Sequence, residues 1–306
     1  MTMLAKPQLS VVIPTYNYAA VLPRAVDSVL AQLDDSAELI VIDDGSTDDT
    51  QQMLARLLEQ HAGRFRVVSK PNGGAASARN LGIDEAAGDF LIFLDADDEL
   101  APGALQAVRL HLQAQPQTRL VIGAHIAIST DGKSREHKSG ELPESALERL
   151  SAYLLDKRLA LSNGACVMHR EVFARGRYPQ AFRSAEDIPV FAQALANYPC
   201  SRLDQPLALI HKHDDSLRHQ FQHAKAGGLA LVDEVFADQR LGAPFQVLKS
   251  AFFVQRSLSL FRSAYLEGDV PAAKAFFVAA LKRDWRVLFK GSYVRKALRL
   301  WLGART

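Results

Sequence analysis

Two groups of carboxylates lie directly after short apolar runs in the first third of the chain. The first group is Asp95-Ala96-Asp97-Asp98, which follows the apolar run at 90–94. Closely spaced carboxylates are suitable ligands for Mg²⁺ or Mn²⁺, and such an ion can neutralise the charge that develops on a diphosphate leaving group. A solvated turn before a helix would use the same residues, so this group alone leaves both interpretations open.

The second group follows the apolar run at 38–42 and begins with Asp43 and Asp44. Carboxylates at the end of a strand can accept hydrogen bonds from the imide of a nucleotide base or from ribose hydroxyls. A turn into a helix that is capped by Ser46 or Thr47 is the structural alternative. We expect both: a functional Asp44, with Asp43 as a second candidate, and a structural role for Ser46 and Thr47.

A glycine pair, Gly73-Gly74, precedes a helix of small residues that is predicted at 75–86. The pair does not form the G-x-G-x-x-G pattern, which disfavours a dinucleotide-binding fold. Glycines at the start of a helix let backbone amides approach an anion, and Arg79 can add positive charge there. Tight packing of the helix on a sheet explains most of its alanines.

The elements that must position these residues alternate between strands and helices. Strands are predicted at 9–13, 38–42, 65–68 and 90–94, with helical apolar spacing between them. This alternation predicts an α/β protein with a mostly parallel sheet that is flanked by helices. Functional loops of such a sheet lie at the carboxyl ends of its strands, so we expect the acidic groups and the glycine pair at one edge.

The chain beyond the fourth predicted strand is less regular. Further strands are predicted at 119–128 and 165–168, with a polar loop at 130–140. The apolar spacing is helical from about residue 214 onward.

This pattern divides the chain into two parts. We predict a catalytic domain at 1–215, with two halves at about 1–100 and about 101–215. A helical C-terminal region, basic at its end, is predicted at 216–306.

Composition and charge argue against several classes of protein. The hydrophobic fraction of 48% and the charged fraction of 23% are ordinary for a globular protein, and a net charge of +2 argues against broad binding of nucleic acid. No apolar run reaches the ~18 residues of a membrane helix, and residues 1–8 lack the apolar core of a signal peptide. Cys166 and Cys200 form no C-x-x-C pair and are interpreted as reduced, buried thiols, so we expect a cytoplasmic protein.

The C-terminal tail at 281–306 has eight basic residues and one acidic residue. Val294, Leu298 and Trp301 recur at helical spacing within it, which predicts an amphipathic helix. Such a helix can lie on an anionic membrane surface, at the inner face of the membrane, or its stripe can pack on the catalytic domain. The sequence leaves both alternatives open, and a substrate confined to the membrane would favour the membrane.

Four segments of the chain resemble, in order, the consecutive motifs of family 2 glycosyltransferases. They are residues 10–17, 38–48, 74–80 and 88–98, and their combined order is far more specific than any one motif. The resemblance implies the GT-A fold, in which a Rossmann-like sheet binds a nucleotide, with a C-terminal helical appendage here. It also implies a transfer reaction that inverts the anomeric configuration.

The resemblance further implies that about 1–100 is the nucleotide-sugar half of the catalytic domain and about 101–215 the acceptor half. It also implies which residues bind the donor, a nucleoside-diphosphate sugar. The residues expected to contact it are Pro14, Thr15, Tyr16, Asp44, Gly74, Arg79, Asp95 and Ala96. Asp44 is expected to bind the base and Asp95 the ribose, whereas Tyr16 packs either on the base or in the core. Asp97 is expected to bind the metal ion, Mn²⁺ or Mg²⁺.

Members of this family carry an acidic base downstream of the metal motif, and Glu186-Asp187 at the predicted start of a helix is similar to it. Asp187 is the expected catalytic base, with Glu186 orienting it or the acceptor. A base that accepts a proton in the transition state needs a partly desolvated carboxylate. A pair that merely caps the helix is the alternative.

Residues 213–216 resemble the family's H-x-x-S segment, which tends to close over the diphosphate. The resemblance implies that His213 binds the metal ion or phosphate oxygens. The chain departs from the family at His211, where an arginine is usual.

The resemblance therefore implies a metal-dependent glycosyltransferase that transfers a sugar to a hydroxyl of a glycan or lipid-linked acceptor, in bacterial surface polysaccharide or lipopolysaccharide synthesis. One alternative is a nucleotidyltransferase, but such enzymes usually carry a glycine-rich loop with a lysine after the first strand, where this chain has residues 14–17. A second alternative is a catalytically silent protein that binds sugar nucleotides. The presence of Asp97 and Asp187 argues against it.

Overall fold

A computed structural model describes residues 8–212 and 221–302 of the chain. Over these residues a single mixed sheet is covered by helices on both faces. Its strands are β1 Leu9–Thr15, β2 Ala37–Asp43, β3 Arg66–Ser69, β4 Phe90–Phe93, β5 Glu99–Leu100, β6 Leu120–Ile128, β7 Ser134–His137, β8 Cys166–His169 and β9 Cys200–His211. The helices are α1 Leu22–Leu30, α2 Thr50–Gln60, α3 Ala75–Glu85, α4 Ala104–Ala114, α5 Ala146–Leu154, α6 Ile188–Asn197, α7 Phe221–Gly227, α8 Ala230–Val235, α9 Lys249–Leu266, α10 Val270–Arg283 and α11 Gly291–Trp301.

The strands lie in the order β3-β2-β1-β4-β8-β6-β9-β5. Strand β7 lies outside this order and pairs with the second half of β6, from His125 to Ile128. The first four strands are parallel, as expected from their alternation with helices. The second half is mixed, because β8 runs antiparallel to β4 and β6, while β6 and β9 are parallel. The mostly parallel arrangement predicted from the sequence therefore describes the first half of the sheet.

Strand β7 lies inside the stretch at 130–140 that the sequence analysis interpreted as a loop. It forms a hairpin with β6, and Ile128 pairs with Ser134 at the turn. Three of its four residues are exposed. An exposed edge strand has no apolar alternation, so its residues resemble those of a polar loop.

The core lies on both faces of the sheet, because successive side chains of each strand point to opposite faces. Val12 and Ile40 belong to one buried cluster, and their neighbours Val11 and Leu39 belong to the other. Helix α3 approaches the sheet very closely, since a Cβ at Gly82 would lie 2.4 Å from the Val12 side chain. This close approach explains the small residues of the helix.

The helical C-terminal region contributes to two cores. Leu231, Val235 and Phe252 pack in the same cluster as one face of the sheet. A separate cluster joins α9, α10 and α11 through Phe261, Phe277 and other apolar residues. The division at residue 215 stays a prediction, and the packing shows that apolar residues between Leu231 and Phe252 extend the core of the sheet.

Both cysteines are free thiols. Cys166 is buried as predicted, whereas Cys200 is half-buried at the start of β9. Among the helices of residues 8–212 and 221–302, none is long and apolar enough to cross a membrane.

Candidate active site

A cavity of about 1060 Å³ opens at the carboxyl ends of β1, β2 and β4. The register of the parallel strands creates this arrangement, since Thr15 at the end of β1 pairs with Asp43 at the end of β2. Eleven of the twelve residues predicted for the site line the cavity, namely Pro14, Thr15, Tyr16, Asp44, Gly74, Arg79, Asp95, Ala96, Asp97, Glu186 and Asp187. The twelfth, His213, lies outside the described residues.

The loop after β1 is fixed by the loop after β2. Asn17 has a left-handed backbone (φ 58°), and its amide N–H donates to Ser46 Oγ at 3.0 Å. Its side-chain oxygen accepts from the Thr47 amide at 2.7 Å. Ser46 and Thr47 are therefore structural as expected, but they bind this loop and do not cap a helix, since α2 begins at Thr50.

The Asp44 carboxylate is bound by its own chain. It accepts hydrogen bonds from the amides of Gly73 at 3.0 Å and Gly74 at 2.7 Å, and Lys70 forms an ion pair with it. The expectation that these two amides face a ligand anion is therefore corrected, because the anion they bind is Asp44. Asp44 and Gly74 still line the cavity, and their contact with a donor stays a prediction.

Asp95 and Asp97 are both partly exposed in the wall of the cavity, whereas Asp98 between them and β5 is buried. Asp98 accepts a hydrogen bond from the His211 amide at 2.9 Å, which ties the acidic turn to β9. Tyr18 hydrogen-bonds to Asp97, and burial together with the charges of Asp97 and Asp95 raises the Tyr18 pKa well above its usual value. The tyrosine therefore stays protonated as a donor to Asp97.

The carboxylates of this wall are suitable ligands for a hard divalent cation that also binds a diphosphate. Asp95 and Asp97 present carboxylate oxygens to the same cavity. Within residues 8–212 and 221–302, no three His, Cys, Asp or Glu side chains form a group that could hold a metal ion by themselves. Mg²⁺ is commonly bound by one or two carboxylates together with substrate phosphates, and these residues fit that mode.

Arg79 is buried and connects the two sides of the cavity. Its guanidinium donates to Glu186 Oε1 at 2.6 Å and to Asp95 Oδ1 at 2.9 Å. The guanidinium also lies over the Tyr178 ring, 5.4 Å from its centroid. Arg79 is predicted from the sequence to add positive charge beside the donor, and in the structure this charge is paired with two carboxylates.

Asp187 lies at the start of α6, but its side chain makes no capping hydrogen bond to the helix. Burial raises the Asp187 pKa to about 6, with a further contribution from the charge of Glu186 and a partial opposing effect of Arg79. Ala185, just before the pair, has a left-handed backbone (φ 65°), a conformation that costs an alanine about 1 kcal/mol or more. The surroundings thus hold a partly desolvated carboxylate at the cavity wall.

Several residues of the site carry no sequence signal that identifies them. Asn80 exchanges two hydrogen bonds with the Tyr178 backbone, at 2.8 and 3.0 Å, and the Tyr178 hydroxyl donates to Asn163 at 2.8 Å. His125 of β6 and His137 of β7 stack with ring centroids 5.0 Å apart and line the cavity opposite the parallel strands. The contact between Asn80 and Tyr178 joins residues 98 positions apart, and the histidine pair depends on the β6–β7 hairpin that the sequence did not predict.

The Arg79 bridge leads to a prediction about stability. Replacing Arg79 by Met should lower the free energy of unfolding by about 3 kcal/mol near neutral pH, because Glu186, whose side chain is only 12% exposed, would remain as a carboxylate without its ion-pair partner. Chemical denaturation at equilibrium measures the change. The matched control is Arg177→Met, which removes an exposed ion pair with Asp84 and should cost less than about 1 kcal/mol. Equal losses in the two variants would contradict the bridging role.

Comparison with known proteins gives a match to a model described as Glycosyl transferase family 2, over residues 10–177, more than half of the chain. A chondroitin synthase of Pasteurella multocida (strain Pm70) is 34% identical over 149 residues, which are 49% of this chain and 15% of that relative. The chain therefore spans a small fraction of the length of this curated relative.

Two solved structures are similar in fold. S. aureus TarS 1-349 in complex with UDP-GlcNAc has a TM-score of 0.64 and 16% identity, and the match covers 96% of this chain and 90% of that chain. The mannosyltransferase PcManGT from Pyrobaculum calidifontis in complex with GDP-Man and Mn²⁺ has a TM-score of 0.57 and 20% identity, covering 98% and 88%. The predicted α/β fold of GT-A type, with C-terminal helices, is confirmed.

Proposed function

This chain belongs to glycosyl transferase family 2, and from that premise we propose that it is an inverting glycosyltransferase. It transfers a sugar from a nucleoside-diphosphate sugar to a hydroxyl of a glycan or lipid-linked acceptor. The observation that carries the proposal is that Asp95, Asp97 and Asp187 line one cavity, where burial raises the pKa of Asp187. The residues proposed to bind the donor and the residue proposed as the base therefore face the same cavity.

The donor lies along the carboxyl ends of β1, β2 and β4 in this proposal. Tyr16 has 42% of its surface exposed beside the cavity, so its ring is available to pack on a base. The solved structures of similar fold hold UDP-GlcNAc and GDP-Man, which supports a nucleotide-sugar donor of this general class. Asp44 and Asp95 are proposed to bind the base and the ribose.

Asp97, with Asp95 beside it, is proposed to hold Mn²⁺ or Mg²⁺, and His213 is proposed as a further ligand. When bound, the cation supplies positive charge that stabilises the diphosphate as it leaves. Tyr18 orients the Asp97 carboxylate by a hydrogen bond, and the Asp98 bond to β9 fixes the turn that carries it.

Asp187 is proposed to act as the catalytic base. Its carboxylate accepts the proton of the acceptor hydroxyl while the hydroxyl oxygen forms a bond to the anomeric carbon. The bond between that carbon and the diphosphate oxygen breaks on the opposite face, which inverts the configuration. Proton acceptance of this kind contributes roughly 10²–10⁴-fold to a rate.

Glu186 is proposed as a positioning residue. Its carboxylate is held by Arg79 at 2.6 Å, and Arg79 in turn holds Asp95. Arg79 would therefore couple the position of Asp95, beside the donor, to the start of α6, where Asp187 lies.

The acceptor is proposed to enter opposite the donor strands, along the wall formed by His125 and His137. Stacked imidazoles offer both a flat apolar face and hydrogen-bonding edges, which suits a sugar ring. The relative named as a chondroitin synthase supports a glycan acceptor and a role in bacterial surface polysaccharide or lipopolysaccharide synthesis. We propose a cytoplasmic location, supported by two free thiols, with peripheral contact at the inner face of the membrane.

Transfer of a nucleotidyl group is disfavoured because the loop after β1 contains no glycine-rich phosphate cradle. Asn17 in that loop is fixed to Ser46 and Thr47. A catalytically silent protein is disfavoured because a carboxylate with a pKa of about 6 is suited to accept protons near neutral pH.

A panel of donors tests the proposal. A cognate nucleotide sugar with Mn²⁺, at about a hundred times its Kd, should raise the Tm by about 5 °C and release nucleoside diphosphate slowly by hydrolysis. Thermal unfolding and detection of the released diphosphate measure the two effects, with nucleoside triphosphates as the comparison. Stabilisation and turnover by triphosphates alone would favour nucleotidyl transfer, and binding without any hydrolysis or transfer would favour the silent protein.

A further inference from the structure

The tail surface, defined as the exposed side chains of residues 282–302, contains large apolar groups that the folded chain leaves wholly or partly uncovered. Its apolar members are Trp285, Leu288, Phe289, Leu298, Trp301 and Leu302. Trp285 is 64% exposed and Phe289 is 74% exposed, although their rings contact each other. Aromatic residues that stand out from a folded surface indicate a binding partner.

The same surface carries a strong positive charge. Its exposed basic members are Lys282, Arg283, Arg286, Lys290, Arg295 and Arg299. Asp284 is the single acidic residue in 282–302, and it is paired with Arg286. A partner with many negative charges therefore complements this surface.

Helix α11 is fixed to the protein by a different face. Ala297 and Leu300 are buried in the cluster that joins α9, α10 and α11, and Tyr293 packs against it. The stripe predicted from the sequence is divided between the two faces: Val294 packs on the cluster, whereas Leu298 is 54% exposed. Packing and exposure thus occur together, and the exposed side chains are held in place by a buried core.

We infer that the tail surface binds the surface of an anionic lipid bilayer. Tryptophan and phenylalanine can enter the boundary between headgroups and acyl chains, while the flanking basic residues bind the anionic headgroups. A nucleic acid would match the charge but would leave the aliphatic Leu288, Leu298 and Leu302 without a suitable environment. The inference adds the contact residues and the lipid chemistry to the proposed peripheral location, and it does not depend on the transfer reaction.

Sedimentation of the full chain with vesicles tests the inference, using phosphatidylcholine alone or mixed with phosphatidylglycerol. Wild type should bind the mixed vesicles and lose this binding with added salt. Two variants remove one component each, Trp285→Ser with Phe289→Ser and Arg295→Glu with Arg299→Glu. Each pair should weaken binding at least about tenfold. For the arginine pair the reason is charge, since one basic residue near an anionic surface contributes roughly fivefold. For the aromatic pair the reason is the apolar area that would no longer be buried in the bilayer.

Matched controls place apolar-to-serine and basic-to-glutamate changes on exposed residues elsewhere. Leu58→Ser with Leu110→Ser and Arg56→Glu with Lys138→Glu should each change vesicle binding by less than about twofold. Binding of both tail variants at wild-type strength would overturn the inference, as would loss in the glutamate pair alone, because adsorption would then need no apolar contact. Self-association that the tail variants abolish, without vesicle binding by wild type, would assign the surface to a second copy.

Hydrolysis of the donor in solution separates this inference from the proposed function. The tail variants should hydrolyse a nucleotide sugar at the wild-type rate, because their residues lie outside the cavity. Absence of both hydrolysis and transfer in wild type would contradict the proposed function and leave the vesicle result unaffected.

Discussion

Replacing Asp187 by Asn should lower turnover by about 10²-fold or more while the nucleotide-sugar donor still binds with similar affinity. The amide keeps the shape of the carboxylate but cannot accept the proton of the acceptor hydroxyl. The side chain makes no capping hydrogen bond to α6, so the substitution should leave the helix intact. Turnover with saturating donor and acceptor, and donor affinity from calorimetry, provide the two measurements.

The pH profile gives an independent test of the same residue. The Asp187 pKa is raised to about 6, mainly by burial. Because the base acts in its ionised form, kcat/KM, which reports the free enzyme, should be constant above this pH and should fall about tenfold per unit of pH below it. The Asn variant should lack this acid limb.

Glu186→Gln is the matched variant for the neighbouring carboxylate. It should reduce turnover less than Asp187→Asn, because Glu186 is held by Arg79 and is assigned a positioning role. A larger loss from Glu186→Gln would show that the two roles are exchanged.

The location of the site could be predicted from the sequence because its first determinants are local. A strand that ends in carboxylates is visible as an apolar run followed by Asp43 or by Asp95. Parallel pairing of β1, β2 and β4 then brings their ends to one edge, so the order of the motifs along the chain becomes proximity in space.

The partners of these residues could not be predicted, because they depend on contacts between distant segments. Asp44 offers the same carboxylate to a ligand or to the amides of Gly73 and Gly74, and only the folded loop decides between them. The ion pair of Arg79 with Glu186 spans 107 residues of the chain. The pattern of neighbouring residues carries no information about a contact between residues so far apart in the sequence.

The second half of the sheet was harder to predict for a related reason. Strand β8 enters between β4 and β6 and reverses the direction of the sheet, which the alternation of strands and helices does not indicate. The tail shows a further limit, since helical spacing of apolar residues identifies a stripe but not how much of it is covered.

Replacing Asp97 by Ala should lower transfer by roughly 10³-fold, because the site would lose several kcal/mol of stabilisation of the leaving diphosphate. It should also abolish the effect of Mn²⁺ or Mg²⁺ on donor binding. Asp97 is partly exposed in the cavity wall, so the fold should be retained. Transfer rates and donor affinity, each with and without the cation, measure the effect.

Two comparisons make the Asp97 result specific to the cation. Asp35→Ala removes an exposed carboxylate that does not line the cavity, and it should behave as wild type. Tyr18→Phe removes a hydrogen bond to Asp97 and should raise the cation concentration needed for half-maximal activity. Treatment of wild type with EDTA should reproduce the loss seen in Asp97→Ala. Full transfer by wild type in EDTA would remove the metal from the mechanism, and Asp97 would then act on the donor through hydrogen bonds alone.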